Sequence, residues 1–336
     1  MSAKKPIFVS NLKSIMDLYA ARCISEHAET TLYNDFVILK SFDSYLSQIN
    51  YDGGFISEAI ILEWVRELRS RLSNGRLMQY EKTINKFLRF AKVFEIKCQM
   101  PEITKATDEY QPYIYSLEEL ERLCAASDNI SYKWNTHPWL EAEIPMLTRI
   151  FIGCGTRITE MLTTLMKDYD MENGVFTMRN TKGNIERFVP VAKSLHTIIN
   201  KYCIAMGLVG KPDAYMFPGK TFNDPLNRRV YLGQFKKMLK KAGIKVVRTL
   251  HEHGPSPYCI RHTFACFAVK HLENIGLHVD NIYPYLSTYM GHQDLYGTEK
   301  YLKFSASITS EEMKRFEKSI SVIFRCRVFQ DDSEWI

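Results

Sequence analysis

The sequence lacks the features that define several large protein classes. It has no run approaching the roughly 18 consecutive apolar residues of a membrane-spanning helix. The lysines near its start are not followed by the apolar stretch of a secretory leader. Its eight cysteines, Cys23, Cys98, Cys124, Cys154, Cys203, Cys259, Cys266 and Cys326, never fall as C-x-x-C. Single thiols scattered through 336 residues predict reduced, buried side chains rather than a disulfide framework. They favour a cytoplasmic setting, nucleoid-associated if the source is bacterial. There is no P-loop and no cluster of carboxylates to seat a nucleotide or a catalytic metal, so no cofactor and no metal is expected. Internal repeats and low-complexity tracts are absent. The charge is mild: 44 Lys and Arg against 38 Asp and Glu give a formal +6, which permits a nucleic-acid partner without requiring one.

What the sequence does contain is mostly helical periodicity. Leu12, Ile15, Met16, Tyr19 and Cys23 fall on one helix face over residues 10–24, with Ser10 as candidate N-cap. Leu32, Phe36, Leu39, Phe42, Leu46 and Ile49 repeat the pattern. A third helix follows Ser57 and is expected to stop at Asn74-Gly75; a fourth covers about 76–96. Four amphipathic helices predict a small bundle over residues 1–100. Its third and fourth helices are crowded with cations, among them Arg66, Arg69, Arg76, Lys82, Lys86 and Arg89, a pattern that fits a solvated face or a surface that tracks phosphates.

Residues 101–115 hold Pro101 and Pro112 and no helical period, so they read as a linker. Ser116-Leu-Glu-Glu119 is a capping box. Helices are expected from there to about Ala126, from Glu141 to Ile152, and from about Thr156 through Leu165. The period then changes. Gly174–Met178 and Glu186–Pro190 flank a turn at 180–184 and predict a β-hairpin with Lys182 near its tip. Helices resume over Leu195–Met206 and Gly233–Ala242, and another follows Ser256-Pro-Tyr-Cys-Ile-Arg-His. The expected fold class is mainly α with a small β-sheet (α+β).

Four local motifs lie in this second part. They are Gly155-Thr-Arg157-Ile-Thr-Glu160, Lys182-Gly183, Tyr258-Cys-Ile-Arg261-His262-Thr-Phe-Ala265, and Gly291-His292 with Tyr301 nine positions on. Together they resemble the catalytic domain of the tyrosine recombinase (phage integrase) family, over residues 116–304. The helical N-terminal part is similar to the family's core-binding domain in helix count and placement. The resemblance implies a metal- and ATP-independent DNA strand transferase. Tyr301 would be the nucleophile that forms a 3′-phosphotyrosyl link. Arg157, Arg261 and His292 would hold the phosphate, Lys182 would protonate the leaving 5′-oxygen, and Glu160 would orient Arg157. Tyr258 stands where the family most often has His or Lys. A phenol can donate a hydrogen bond there but does not shuttle protons near neutral pH, because its ordinary pKa is about 10. The implied partners are double-stranded DNA with specific recombination sites and further copies of the chain, a dimer on one site and a tetramer in the synapse, with no membrane. Residues 305–336 carry Met313, Phe316, Ile320, Ile323 and Phe324 at helical spacing, so this tail either packs on its own domain or docks on a neighbouring protomer.

Three other readings stay open on the sequence alone. One is a strand-passing topoisomerase. Another is a DNA-binding regulator with a decayed site, to which Tyr258 lends support. The third is a zinc protein using His251, His253, Cys259 and His262, whose spacing fits no standard finger.

Overall fold

The computed structural model describes residues 4–103, 112–131, 137–179, 181, 186–246, 254–291, 301, 305 and 308–323. The described chain up to residue 103 forms one compact unit and the chain from residue 112 onward a second. Each has its own apolar core.

The first unit is built from α1 (Lys13–Glu26), α2 (Glu29–Gln48), α3 (Glu58–Arg69) and α4 (Asn74–Val93). Its core centres on Trp64, which meets Phe42 edge-on at 5.0 Å between ring centroids and lies beside Tyr80. Two details differ from expectation. Ser10 does not cap α1, since Leu12 holds that position without a side-chain bond. The backbone N–H groups of Val9 and Ser10 both donate to the Asp43 carboxylate at 2.9 Å, and the Ser10 hydroxyl accepts from the Leu12 N–H at 3.3 Å, ahead of the helix rather than within its first turn. Asn74-Gly75 does not stop the third helix either. α3 already ends at Arg69 and Asn74 opens α4. The first N–H groups of any helix lack an internal partner, so an Asn-Gly pair suits a first turn as well as a stop.

The second unit opens with α5 (Leu117–Asp128), started by the Ser116–Glu119 capping box. Tyr115, placed in the linker by sequence, is already integral to this unit. It is buried, and its N–H donates to the Thr263 hydroxyl at 2.9 Å. α6 (Leu140–Cys154) follows, buried on nearly every face, as a helix at the centre of a domain must be. It packs against α5, α8 (Lys193–Ala205) and α10 (Pro257–Asn274). The helix expected from Thr156 to Leu165 is only α7 (Ile158–Leu162). Beyond it the backbone finds other partners: Met216 N–H bonds the Thr164 carbonyl and Met166 N–H bonds the Ala214 carbonyl, both at 2.9 Å.

β1 (Tyr169–Asp170), β2 (Val175–Met178) and β3 (Arg187–Pro190) form an antiparallel sheet in that order, with Phe176 opposite both Tyr169 and Val189. The hairpin tip with Lys182 falls outside the described residues. α9 (Arg228–Lys241) begins earlier than its sequence pattern suggests. α11 (Val279–Met290) has no clear sequence signal and contains Pro284. α12 (Ser310–Ile323) packs in cis: Met313, Phe316 and Ile323 are buried, and the Phe316 ring stacks on Phe267 at 4.4 Å. Phe324 and the side chain of Ile320 fall outside the described residues. Among the described residues no helix is long and apolar enough to cross a membrane. The described cysteines are all buried and none forms a disulfide.

Candidate active site

The site is assembled where helices end. α6 finishes on Gly155, whose backbone turns left-handed at φ +57°, and α11 finishes on Gly291 at φ +65°. The last carbonyls of a helix have no partner within it and carry the negative end of its dipole. Here arginines supply the partners. Arg261, near the start of α10, donates from Nη1 to the Gly155 carbonyl at 2.7 Å and from Nη2 to the Met290 carbonyl. Arg157, at the N-cap of α7, donates from Nη2 to the Gly291 carbonyl at 2.7 Å. Arg187, on β3, donates from Nε to the Tyr289 carbonyl at 2.8 Å. Three successive carbonyls at the end of α11 therefore accept from three different guanidinium groups.

Glu160 ties two of these arginines together. Its Oε1 accepts from Arg157 Nη1 and its Oε2 from Arg187 Nη2, each at 2.6 Å. Burial alone would raise this carboxyl, but the hydrogen bonds and charges of Arg187 and then Arg157 outweigh it and hold the group below the ordinary carboxylate range. Glu160 is thus an anion at neutral pH. Three guanidiniums against one carboxylate leave a formal surplus of two positive charges, three minus one. Arg261 is only 2% exposed. Burial first, and the neighbouring Arg157 second, push its guanidinium down to about 10, so it stays charged at pH 7.

Tyr301 is 3% exposed. Burial raises its phenol above the ordinary tyrosine value, while Arg261, and more weakly Arg157, pull it back down. The phenol is neutral at pH 7, with two guanidiniums near enough to favour its anion. Its ring lies against that of His262 at 5.5 Å between centroids, and His262 in turn meets Tyr258 edge-on at 4.7 Å. Tyr258, half exposed, is the outer end of this row of rings.

The fold therefore brings Arg157, Glu160, Tyr258, Arg261 and Tyr301 into one site. Lys182, His292, His251 and His253 fall outside the described residues. Arg66 and Arg69 are exposed on α3, and Lys82, Lys86 and Arg89 are exposed along one face of α4. Arg76 is engaged differently. It bonds the side chains of Gln79 and Asn34 and lies 5.2 Å over the Tyr80 ring.

Arg187 was not foreseen. The hydrophobic pattern of β3 would turn Phe188 and Pro190 inward. The strand does the reverse, burying Arg187 and Val189 while Phe188 is 71% exposed. Glu160 and the end of α11 select that phase, because both offer acceptors to a guanidinium. A cation in register with Val189 was the available signal.

The comparisons bear on the same part of the chain. Residues 115–307 match the phage integrase family. The chain is 24% identical over 274 residues, 76% of its length and 77% of the relative's, to the tyrosine recombinase XerA of Saccharolobus solfataricus. It is 25% identical over 190 residues, 56% of each chain, to the tyrosine recombinase XerD of Rhizobium meliloti. The alignments thus span from about half to three quarters of those relatives' own lengths. The crystal structure of the XerH site-specific recombinase bound to palindromic difH substrate, a post-cleavage complex, shares the fold with a TM-score of 0.64 at 17% identity, over 96% of this chain and 91% of that one. A family match over more than half of the chain, centred on the arginine site, makes this protein a member of the phage integrase family, the tyrosine recombinases, which are enzymes of site-specific DNA recombination.

Proposed function

We propose that this protein cuts and rejoins DNA at specific recombination sites, through a 3′-phosphotyrosyl intermediate on Tyr301 and a Holliday junction. Its biological setting would be a mobile element, a phage, or the resolution of a chromosome or plasmid. The observation that carries the reading is that Arg157 and Arg261 are fixed side by side at the ends of α6 and α11, with Tyr301 within reach of their charge. A phosphodiester carries one negative charge and the five-coordinate phosphorane two. The net positive charge of the guanidiniums therefore favours the second state more than the first. Stabilisation that grows as the reaction proceeds is what lowers a barrier.

In the cleavage step the Tyr301 oxygen attacks phosphorus and the bond to the 5′-oxygen breaks. The 5′-hydroxyl leaves with a proton from Lys182, and the strand stays joined to the enzyme as a 3′-phosphotyrosine. Taking the phenolic proton at pH 7 costs roughly 4 kcal/mol for an ordinary tyrosine. Arg261 and Arg157 offset part of that cost. His262, whose ring lies against Tyr301, takes the proton in this reading, since a phenol such as Tyr258 is a poor acceptor at neutral pH. His292 donates to a non-bridging oxygen. Glu160 keeps Arg157 aimed, and Tyr258 donates to the phosphate. Rejoining reverses the sequence with the 5′-hydroxyl of another strand.

On this reading the first unit, about residues 1–100, is the core-binding domain, with the exposed Arg66, Arg69, Lys82, Lys86 and Arg89 on the phosphates and Arg76 held within the unit by Gln79 and Asn34. Residues 116–304, with Tyr115 joined to them, are the catalytic domain, the linker lies before Tyr115, and 305–336 is the tail. The XerH structure is bound to a palindromic difH substrate and a Tn1549 transposon integrase of the same fold to circular intermediate DNA, which supports double-stranded DNA as the partner. A palindrome calls for two protomers on one site, and exchange between two sites calls for four.

The test uses the full chain with DNA from around its own gene, stopped with detergent and run on a denaturing gel. Wild type should give a protein–DNA adduct and Tyr301→Phe none. An adduct from the Phe variant would rule out Tyr301 as the nucleophile, and binding without any adduct would favour the regulator reading.

A further inference from the structure

The first unit brings a thiol, an imidazole and a carboxylate together, away from the arginine site. Cys23 lies on the last turn of α1, His27 is the C-cap residue four positions on, and Asp35 stands on α2. One donor atom from each lies within 4.8 Å of the other two. His27 Nδ1 is 2.9 Å from Asp35 Oδ2, and the Thr83 hydroxyl of α4 donates to Asp35 Oδ1 at 3.4 Å. Tyr19, one turn before Cys23, is buried on the same helix. Cys23 is buried, while His27 remains partly open to solvent.

We propose that Cys23, His27 and Asp35 bind a thiophilic divalent cation of the zinc class and so fasten the end of α1 to α2. Thiolate, imidazole and carboxylate form a donor set that suits zinc among the divalent ions. Donors around a tetrahedral zinc stand roughly 3.5 Å apart, given metal–ligand bonds of about 2.0–2.3 Å. The three donor atoms, within 4.8 Å of one another and 2.9 Å apart for His27 and Asp35, already stand close to that spacing. His27 follows α1 directly and its backbone N–H bonds the Cys23 carbonyl at 2.9 Å, which keeps the two residues together. The Thr83 hydroxyl on the second carboxylate oxygen is the kind of outer hydrogen bond that orients a metal ligand. α1 has no basic residue in its last turn, so a cation here also faces the negative end of a helix dipole that no side chain complements. A water, or the Tyr19 phenol, completes four-fold coordination. The site shares no residue with the arginine site, so its fate and that of the recombinase reading are independent.

The experiment takes the full chain, stripped with EDTA and desalted, and titrates it with Co²⁺ alone. One equivalent should produce a near-ultraviolet thiolate-to-cobalt charge-transfer band together with visible d–d bands, and Zn²⁺ should displace both. Cys23→Ser should abolish the charge-transfer band. His27→Gln, at a partly open position, should weaken Zn²⁺ binding at least ten-fold and remove the rise in thermal midpoint that Zn²⁺ gives the wild type. Circular dichroism of each variant shows whether its helices are intact, and the His27 arm still decides if Cys23→Ser fails to fold. The absence of a charge-transfer band in wild type would overturn the proposal. So would a band that persists in Cys23→Ser, or equal stabilisation of wild type and His27→Gln by Zn²⁺. Any of these would leave the His27–Asp35 contact as an ion pair beside a buried thiol.

Discussion

Glu160 shows how much of the site turns on single atoms. Each of its oxygens takes one guanidinium, and the side chain is 2% exposed. Glu160→Gln removes the charge and replaces one acceptor with a donor that faces an arginine. Arg187, itself almost fully buried, is then left as an uncompensated cation. Losing one partner of a buried pair costs about 3 kcal/mol or more, so chemical denaturation should show that loss at pH 7. The sign of the pH dependence follows from the lowered carboxyl of Glu160. A group whose folded pKa is depressed contributes stability that is fully present above its unfolded value, about 4.3 for Glu. That stability is lost as pH falls through the lower folded value. The gap between wild type and Glu160→Gln should therefore stay constant above about pH 5 and close progressively below about pH 4. A gap unchanged down to pH 2 would mean the ion pairs contribute little.

At the level of elements, the end of α6 sets where Arg261 can go. Gly155 presents its carbonyl to Arg261 Nη1, and its left-handed φ of +57° turns the chain toward Arg157. A Cβ there would lie 2.3 Å from Cδ1 of Phe264, whose ring is stacked on Tyr289 at 5.5 Å. Gly155→Ala therefore meets both backbone strain and a collision that α11 feels through Tyr289. Gly243, just past α9, has a similar φ of +66° but nothing within 4 Å of a would-be Cβ. Gly243→Ala should cost only the left-handed penalty of about 1 kcal/mol. Gly155→Ala should cost distinctly more, about 2–4 kcal/mol, and should also slow strand cleavage. Thermal midpoints of the two variants, measured side by side, separate strain from crowding. Equal shifts would mean Phe264 moves aside freely.

On the scale of the whole molecule, a mild net charge coexists with a local row of exposed cations on the first unit. The formal +6 of the chain is modest, yet Lys82, Lys86 and Arg89 fall on one exposed face of α4 at i, i+4 and i+7. Cations that neutralise phosphates release counterions on binding, and each contributes about 0.9 to the slope of log K against log salt. Replacing all three with alanine, a good helix former, should leave circular dichroism unchanged and reduce that slope by roughly 2–3. Affinity should fall by a similar factor on specific and unrelated DNA, because phosphate contacts position the protein without reading sequence. A slope equal to that of wild type would return these side chains to the status of a solvated face.

Much of this chain was legible before any coordinates. Helical periodicity located α1 to α4, because a helix with one buried face must repeat its apolar residues every three or four positions. The Ser116–Glu119 capping box marked the start of α5 because its two hydrogen bonds are local to four residues. Arg157, Glu160, Tyr258, Arg261 and Tyr301 were singled out by the company they keep in the sequence, and the fold gathers them. Other features were decided only in three dimensions. α7 stops at Leu162 because carbonyls and N–H groups around 214–216 take over its backbone bonds. Val9 and Ser10 turn to Asp43, a residue more than thirty positions away. Arg187 faces inward against the hydrophobic phase of its own strand because Glu160 and the end of α11 wait there with acceptors. Local periodicity, capping and motif order are written along the chain, since their partners are a few residues apart. The orientation of a buried charge is not, because its energy depends on acceptors that only the folded chain brings within reach.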